Sequence, residues 1–298
     1  MNEYMVELAG VSKAYRFFSL QDIHLRLAPG QIMGFVGPNG AGKSTTLRIL
    51  MAFVQQDRGD VRVLGYRMPQ DQAEAKREIG YVSEDTRLYG GATLDWHMRF
   101  IASVYPSWDA KYAQTLLHRF NLEAQQTIKG LSHGERMKAS LLLVLARRPR
   151  LLVLDEPTTG LDPVARHEIL TEFIDVLSDE RRAVIFSSQT TQDIELISDQ
   201  ITFIDRGRII ESRDKETFID RWRRLQLDVP AGITLPTLAA VTDVVTSGRI
   251  ATITTNDFSP QIPAAYTEAG AVVREVQRMT LEEIFVANVM RSRKETTA

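Results

Sequence analysis

The chain of 298 residues, 44% hydrophobic and 8% aromatic, is long enough for one to three domains and a large core. Its 36 Lys and Arg against 38 Asp and Glu leave a formal charge of -2, so no global field favours nucleic acid or an acidic membrane surface. The absence of cysteine excludes disulfides and thiolate metal sites, the polar start MNEYMVE has no signal-peptide core, and no apolar run approaches the roughly 20 residues of a membrane span; a cytosolic location is expected, with any membrane crossed by another chain.

The first 30 residues alternate in the manner of short strands, MVELAGVSKAY and LQDIHLRLAPGQ, and predict an antiparallel β-element. The apolar strand IMGFVG then runs into GPNGAGKSTTLRIL, whose tail has helical periodicity. From about 84 to 130 the aromatic-rich patterns LDWHMRFIASVY and KYAQTLLHRF carry no clear strand and predict an all-helical insertion. The helix GERMKASLLLVLARR, the strand RLLVLDE, the helix PVARHEILTEFIDVLS and the strands AVIFSS and ITFIDRGRII follow. Strands alternating with helices imply an α/β fold whose mostly parallel sheet is covered on both faces. A composition shift after FIDRWRRL divides the chain into residues 1–224 and 225–298. The second part reads as strand QLDV, a short helix around LPTLAAV, two strands through DVVTSGRIATITT, helix SPQIPAAYTEAG, strand AVVREVQ and a final helix LEEIFVANVM. That order, βαββαβ plus a helix, is expected of a small α+β ferredoxin-like domain.

Residues 37–44, GPNGAGKS, match G-x-x-x-x-G-K-[ST] between a strand and a helix, the context that a phosphate-binding P-loop requires. The backbone N–H groups of Gly37, Pro38, Asn39, Gly40, Ala41 and Gly42 (Pro38 excepted, having none) and of the helix start would cradle the β- and γ-phosphates of ATP. Lys43 would neutralise charge, Ser44 would ligate Mg2+, and Thr45 and Thr46 would cap backbone groups near the α-phosphate. In LLVLDEP, residues 151–157, a fully apolar strand delivers Asp155 and Glu156 to the edge where phosphates sit. Asp155 would hold Mg2+ through water and Glu156 would act as general base on the attacking water.

The stretch LSHGERMKASLLLVLARRP resembles the signature helix of ATP-binding-cassette (ABC) proteins, with Leu131, Ser132, His133, Gly134 and Glu135 in place of a Leu-Ser-Gly-Gly-Gln type sequence. The resemblance covers residues 4 to about 220, and is closest to the ATPases of drug, antibiotic and lipid exporters, which often end in a LEEIF-like helix, here 281–285. It implies a P-loop NTPase cassette with a RecA-like sheet, Tyr15 stacking on adenine, a D-loop at GLD with Asp162, and a head-to-tail dimer, homomeric or heteromeric, in which Ser132 and Gly134 of one subunit close the other's ATP site. A serine hydroxyl, a glycine backbone and a helix N-terminus form a second anion site, although Ser132 taken alone reads as an N-cap. His133 stands where the family has a small glycine.

The resemblance also exposes two departures. The family's switch histidine, which contacts the γ-phosphate and positions the attacking water, aligns with Gln189, which donates a hydrogen bond but carries no charge near neutral pH. The Q-loop glutamine aligns with Glu84, a carboxylate able to ligate Mg2+ yet adding negative charge beside Asp155 and Glu156. Both are catalytic candidates and predict a slowed or asymmetric site, against the alternative of neutral drift. The leading functional expectation is an ATPase subunit, peripheral on the inner face of the cell membrane, that powers a separate permease docked on the helical insertion, with Tyr89, Trp96, Tyr105 and Trp108 as candidate interface aromatics. The alternatives are a soluble ATPase switch acting on ribosomes or DNA, or an exporter subunit whose C-terminal domain reads glycan cargo through Phe258 and Tyr266.

Overall fold

The computed structural model describes residues 4–297. Contacts divide the chain between Ser212 and Arg213 into two units, each with its own core. The composition shift near residue 224 falls inside the second unit, within a strand.

The first unit begins with β1 (Val6–Ala14), β2 (Ser19–Leu27), β3 (Ile32–Val36), α1 (Lys43–Leu50), β4 (Arg58–Val63), β5 (Tyr66–Met68), α2 (Gln72–Glu78) and β6 (Ile79–Ser83). It continues through α3 (Leu94–Val104), α4 (Ala110–Arg119), α5 (His133–Leu145), β7 (Leu151–Asp155), α6 (Pro163–Val176), β8 (Ala183–Ser188), α7 (Thr191–Ile197), β9 (Gln200–Asp205) and β10 (Arg208–Asp214). β2 alternates buried apolar and exposed polar side chains, as a strand with one wet face must, and lies in an antiparallel sheet of order β2-β1-β4-β5. β3, β7 and β8 are buried along their whole length, the signature of a parallel sheet covered on both sides. They sit in the six-stranded order β10-β9-β3-β8-β7-β6, in which β9, β3, β8, β7 and β6 run parallel. The loops after β3, β7, β8 and β6 therefore converge on one sheet edge, where the candidate site lies.

One expectation needs correction here. ITFIDRGRII is not one strand: Arg206 and Gly207 have φ of 47° and 75°, and this left-handed pair turns the chain back on itself into β10. Gly207 is obligatory there, because a Cβ would stand 1.8 Å from the carbonyl oxygen of Ser19. Residues 58–83, for which the sequence pattern offers no element, supply β4, β5, α2 and β6.

The second unit contains α8 (Lys215–Arg221), β11 (Arg223–Asp228), β12 (Val241–Ser247), β13 (Ile250–Thr255), α9 (Gln261–Glu268), β14 (Val272–Arg278) and α10 (Leu281–Thr297). Its antiparallel sheet has the order β12-β13-β11-β14 over a core of Leu225, Leu227, Ile253 and Tyr266. The helix expected around 235–241 is not formed, so the order reads βββαβ rather than βαββαβ. Pro236 removes a backbone donor, and a seven-residue segment is too short to hold helix without a packed face.

Candidate functional site

The P-loop leaves β3 through Gly37, where a Cβ would meet the Ile204 carbonyl oxygen at 2.4 Å, and turns at Gly40 and Gly42, with φ of 75° and 113°. Gly42 is the left-handed N-cap of α1, packed so that a Cβ would strike Phe18 and Leu20. Asn39 and Gly40, both exposed, form a turn closed by the N–H of the buried Ala41 donating to the Pro38 carbonyl at 3.1 Å. The first-turn N–H groups of α1 have no intrahelical acceptor and face the loop's concavity. Thr46 is buried and caps Gly42, its Oγ1 donating to the carbonyl oxygen at 2.9 Å, while Thr45 is half-buried. Lys43 turns back into its own loop: Nζ donates to Gly37 O at 2.7 Å and pairs with Glu156 Oε1 at 3.1 Å, with only 5% and 11% of the two side chains exposed.

β7 lies beside β8 in the register Asp155↔Ser187, and β8 beside β3 in the register Ser187↔Phe35. Asp155 Oδ1 accepts from Ser44 Oγ at 3.0 Å and from Ser187 Oγ at 2.7 Å. Glu156 has φ of 54°, a left-handed conformation costly for a non-glycine residue. Its N–H donates to Ser187 Oγ at 3.0 Å, and Oε2 accepts from Thr159 Oγ1 at 3.0 Å. The P-loop lysine and serine thus each meet one member of the carboxylate pair.

Glu84 follows β6 and is exposed, its N–H donating to the Asp155 carbonyl at 3.2 Å, and Arg48 of α1 pairs with the adjacent Asp85 at 3.0 Å. Gln189 follows β8, exposed, one residue beyond the buried Ser188. Both departures therefore stand on the open rim of the same edge. Tyr81, below Glu84, has its phenol pushed up by burial, with Asp155 adding to the effect.

Ser132 and Asp162 act as N-caps. Ser132 closes a capping box with Glu135, whose Oε2 accepts the Ser132 N–H at 2.7 Å, and that bond holds the Glu135 carboxyl below its usual range. Asp162 accepts from the N–H groups of Val164 and Ala165, the latter bond first among the causes that lower its carboxyl. Both residues remain exposed, as does His133, whose Nε2–H donates to the Thr159 carbonyl of its own chain at 3.1 Å. Gly134 needs no space within this chain, since a Cβ would find only ordinary contacts at 3.6 and 3.8 Å. Tyr15, 46% exposed, stacks on Phe18 with centroids 6.4 Å apart and planes at 29°, and Phe18 in turn packs on Gly42.

Three residues of this region were not legible as site residues. Ser187 is read only through the parallel register. Asp193 on α7 is 1% exposed, accepts from Thr158 Oγ1 at 2.6 Å and pairs with Arg166 of α6. An acidic residue in the first turn of a helix led by TQD was the available signal. Phe100 joins the expected aromatics: it stacks on Trp96 at 5.4 Å and 2°, beside the exposed Tyr89, whereas Tyr105 and Trp108 are half-buried and Tyr105 lies under the Arg147 guanidinium. Tyr266 is fully buried and Phe258 half-buried under Arg223, so Tyr266 offers no platform for a sugar.

The donor chemistry fits Mg2+ and nucleotide. Ser44 and Asp155 present hard oxygens to one point, and Gly37 and Gly42, which have no room for a Cβ against Ile204, Leu20 and Phe18, keep the loop in its tight turn. Among the described residues no cluster of three or more His, Cys, Asp or Glu could hold an ion by itself, as expected where phosphate oxygens and waters complete a Mg2+ shell. No helix among them is long and apolar enough to cross a membrane.

Residues 20–159 match the protein family described as ABC transporter. The chain is 27% identical over 291 residues to the ABC transporter ATP-binding protein YtrB of Bacillus subtilis (strain 168), spanning 95% of this chain and 97% of that one. It is 32% identical over 223 residues to the linearmycin resistance ATP-binding protein LnrL of the same organism, spanning 73% and 71%. A Nod factor export ATP-binding protein I of Rhizobium johnstonii is 32% identical over 217 residues, spanning 69% and 68%. A solved ATP-binding subunit of an ABC transporter matches with a TM-score of 0.67 at 25% identity, over 72% of this chain and 92% of that one. A dimeric ATP-binding cassette in a post-hydrolysis state, bound to ADP and Pi, shares the fold with a TM-score of 0.64 at 21% identity, over 71% and 99%.

Proposed function

Because this chain belongs to the ABC transporter ATP-binding family, we propose that it drives a separate membrane permease, as an exporter ATPase whose two subunits close head to tail around ATP. The observation that carries the reading is the pair of contacts joining the P-loop to the carboxylates: Lys43 to Glu156 and Ser44 to Asp155. Lys43 would exchange the Glu156 carboxylate and the Gly37 carbonyl for phosphate oxygens, and the Glu156 carboxylate so released takes the proton of the attacking water. Ser44 and Asp155, with Glu84 nearby, would hold Mg2+, which supplies neutralisation of phosphate charge when bound.

The exposed Ser132 and Asp162, and a Gly134 with no steric need of its own, support completion of each site by the partner subunit. Gln189 donates to the γ-phosphate without charge, and Glu84 opposes negative charge on the transferring group; together they slow turnover. The exposed Tyr89, Trp96 and Phe100 patch, with the segment after Glu84, supports a permease-docking surface there, and docking would hold the subunit on the cytoplasmic face of the membrane. Names of relatives that confer linearmycin resistance or export Nod factors support the export direction. A buried Tyr266 argues against the glycan-reading alternative.

The test is copurification and trapping. Glu156→Gln with ATP and Mg2+ should elute as a stable dimer and hydrolyse nothing, and the wild type should copurify with a multi-span permease. A Glu156→Gln protein that stays monomeric and turns over ATP at the parental rate refutes the reading.

A further inference from the structure

Ser187 is fully buried at the end of β8, between Phe35 of β3 and Asp155 of β7. A hydroxyl has one proton to donate and two lone pairs to accept. Ser187 spends its proton on Asp155 Oδ1 at 2.7 Å and accepts the Glu156 N–H at 3.0 Å. One side chain therefore fixes the carboxylate of the first acid and the backbone of the second, in the residue whose left-handed φ of 54° sets where its own carboxylate points. Two residues further on, just past the end of the strand, Gln189 emerges on the rim. The Ser187 hydroxyl therefore links the end of β8 to both acids.

We infer that Ser187 is a positioning residue for the ATPase reaction: it orients Asp155 for Mg2+ and Glu156 for the attacking water, and it couples both to the position of Gln189. The inference rests on the ATPase reading above. A serine that merely satisfied itself in a buried strand would serve equally well bonded to backbone alone. Here one bond goes to the Asp155 carboxylate and the other comes from the Glu156 backbone N–H, and both are lost together in Ser187→Ala. Asp155 Oδ1 then keeps only the Ser44 bond, and the buried Glu156 N–H loses its acceptor.

The experiment uses the full chain and a fluorescent ATP analogue titrated with Mg2+, alongside steady-state hydrolysis. Ser187→Ala should raise the half-saturating Mg2+ for nucleotide binding roughly tenfold and lower kcat by roughly tenfold or more, the range for losing a hydrogen bond to a charged group. Nucleotide affinity in EDTA should stay within about twofold, since the P-loop cradle is untouched. Ser187→Thr, which retains the hydroxyl, should recover most of both losses. Mg2+ dependence and kcat within about twofold of wild type in Ser187→Ala overturn the inference, as does a Ser187→Thr no better than Ser187→Ala. Should Ser187→Ala fail to fold, Ser187→Cys keeps the volume with a weaker donor; an intermediate defect supports the assignment and wild-type behaviour overturns it. Glu156→Gln is measured in parallel: if it too turns over normally, the ATPase reading fails, whereas loss of turnover in it with a normal Ser187→Ala sinks this inference alone.

Discussion

Lys43 Nζ stands 3.1 Å from Glu156 Oε1 in a site that hides both side chains, so the P-loop cation and the carboxylate beyond β7 neutralise each other across two strands. Removing one member leaves the other charge buried and unpaired, which costs roughly 3 to 5 kcal/mol where a pair is fully desolvated. Lys43→Ala should therefore lower thermal stability as well as abolish tight Mg-ATP binding. Differential scanning calorimetry with and without nucleotide checks both; retained affinity, or an unchanged Tm, contradicts the expectation. Restoring neutrality with Lys43→Met and Glu156→Gln together should recover the Tm but not the binding.

Gln189 and Glu84 are expected to act on the same step. Gln189→His should raise kcat, by roughly tenfold if one transition-state contact is restored, and adding Glu84→Gln should raise it further or reveal coupling in a double-mutant cycle. Steady-state hydrolysis in the presence of the permease reads the effect. Four proteins with the same kcat would mean that Gln189 is already an adequate donor and that Glu84 leaves the site undisturbed.

Asp193 ties α7, which follows Gln189, to Thr158 and to Arg166 beyond the D-loop. Asp193→Ala strips both of their acceptor and should destabilise the first unit by roughly 2 kcal/mol, the scale of hydrogen bonds to a charged group. Urea denaturation followed by circular dichroism measures it. If Asp193 served local stability alone, ATP-driven dimerisation at saturating nucleotide would be unchanged; we expect it to weaken, because Asp162 begins the helix that Arg166 belongs to.

The second unit has its own core and, in its sequence, no phosphate motif. Deleting residues 213–298 should leave nucleotide affinity intact while weakening self-association or altering turnover. Equilibrium nucleotide binding and sedimentation of the shortened chain distinguish the cases, and lost affinity would mean that the tail shapes the site.

Tyr112 offers a test at alkaline pH. Burial, then the neighbouring Glu172 that accepts its hydroxyl at 3.2 Å, pushes its phenol up to about 12 from about 10. A raised folded pKa means the protonated phenol stabilises the fold below pH 10, and that contribution is lost as pH rises from about 10 towards 12. Tyr112→Phe should flatten the fall of Tm across that window, and a fall as steep as in the wild type would count against it.

What the sequence made legible was chemistry borne by contiguous residues. GPNGAGKS and LLVLDEP carry their own context of strand, loop and helix, which by itself puts Lys43, Ser44, Asp155 and Glu156 at one edge, where the structure has them in contact. Ser187 could not, because its role exists only in the register of two parallel strands separated by a helix, and parallel partners leave no local trace. The hairpin at Arg206 and Gly207 did leave one: a glycine after a charged residue inside an apolar run is a turn signal, overridden by the apolar pattern on either side. The segment 235–241 failed for the opposite reason, since a few apolar residues without a packed face do not make a helix around Pro236. Ser132 is a helix cap by its local sequence, with Glu135 three residues on, whereas any role toward a second subunit leaves no local trace.

Tyr15 is joined to the P-loop by a chain of contacts, ring on Phe18 and Phe18 on Gly42, so the surface offered to a base and the cradle offered to phosphates belong to one unyielding frame. Such a frame works as a gauge. A flat aromatic reads the face of a base, which every purine possesses, and leaves its hydrogen-bonding edge unread. If Tyr15 meets the base as the family resemblance implies, phosphate number should count for more than base identity, and GTP is expected to bind where AMP falls short.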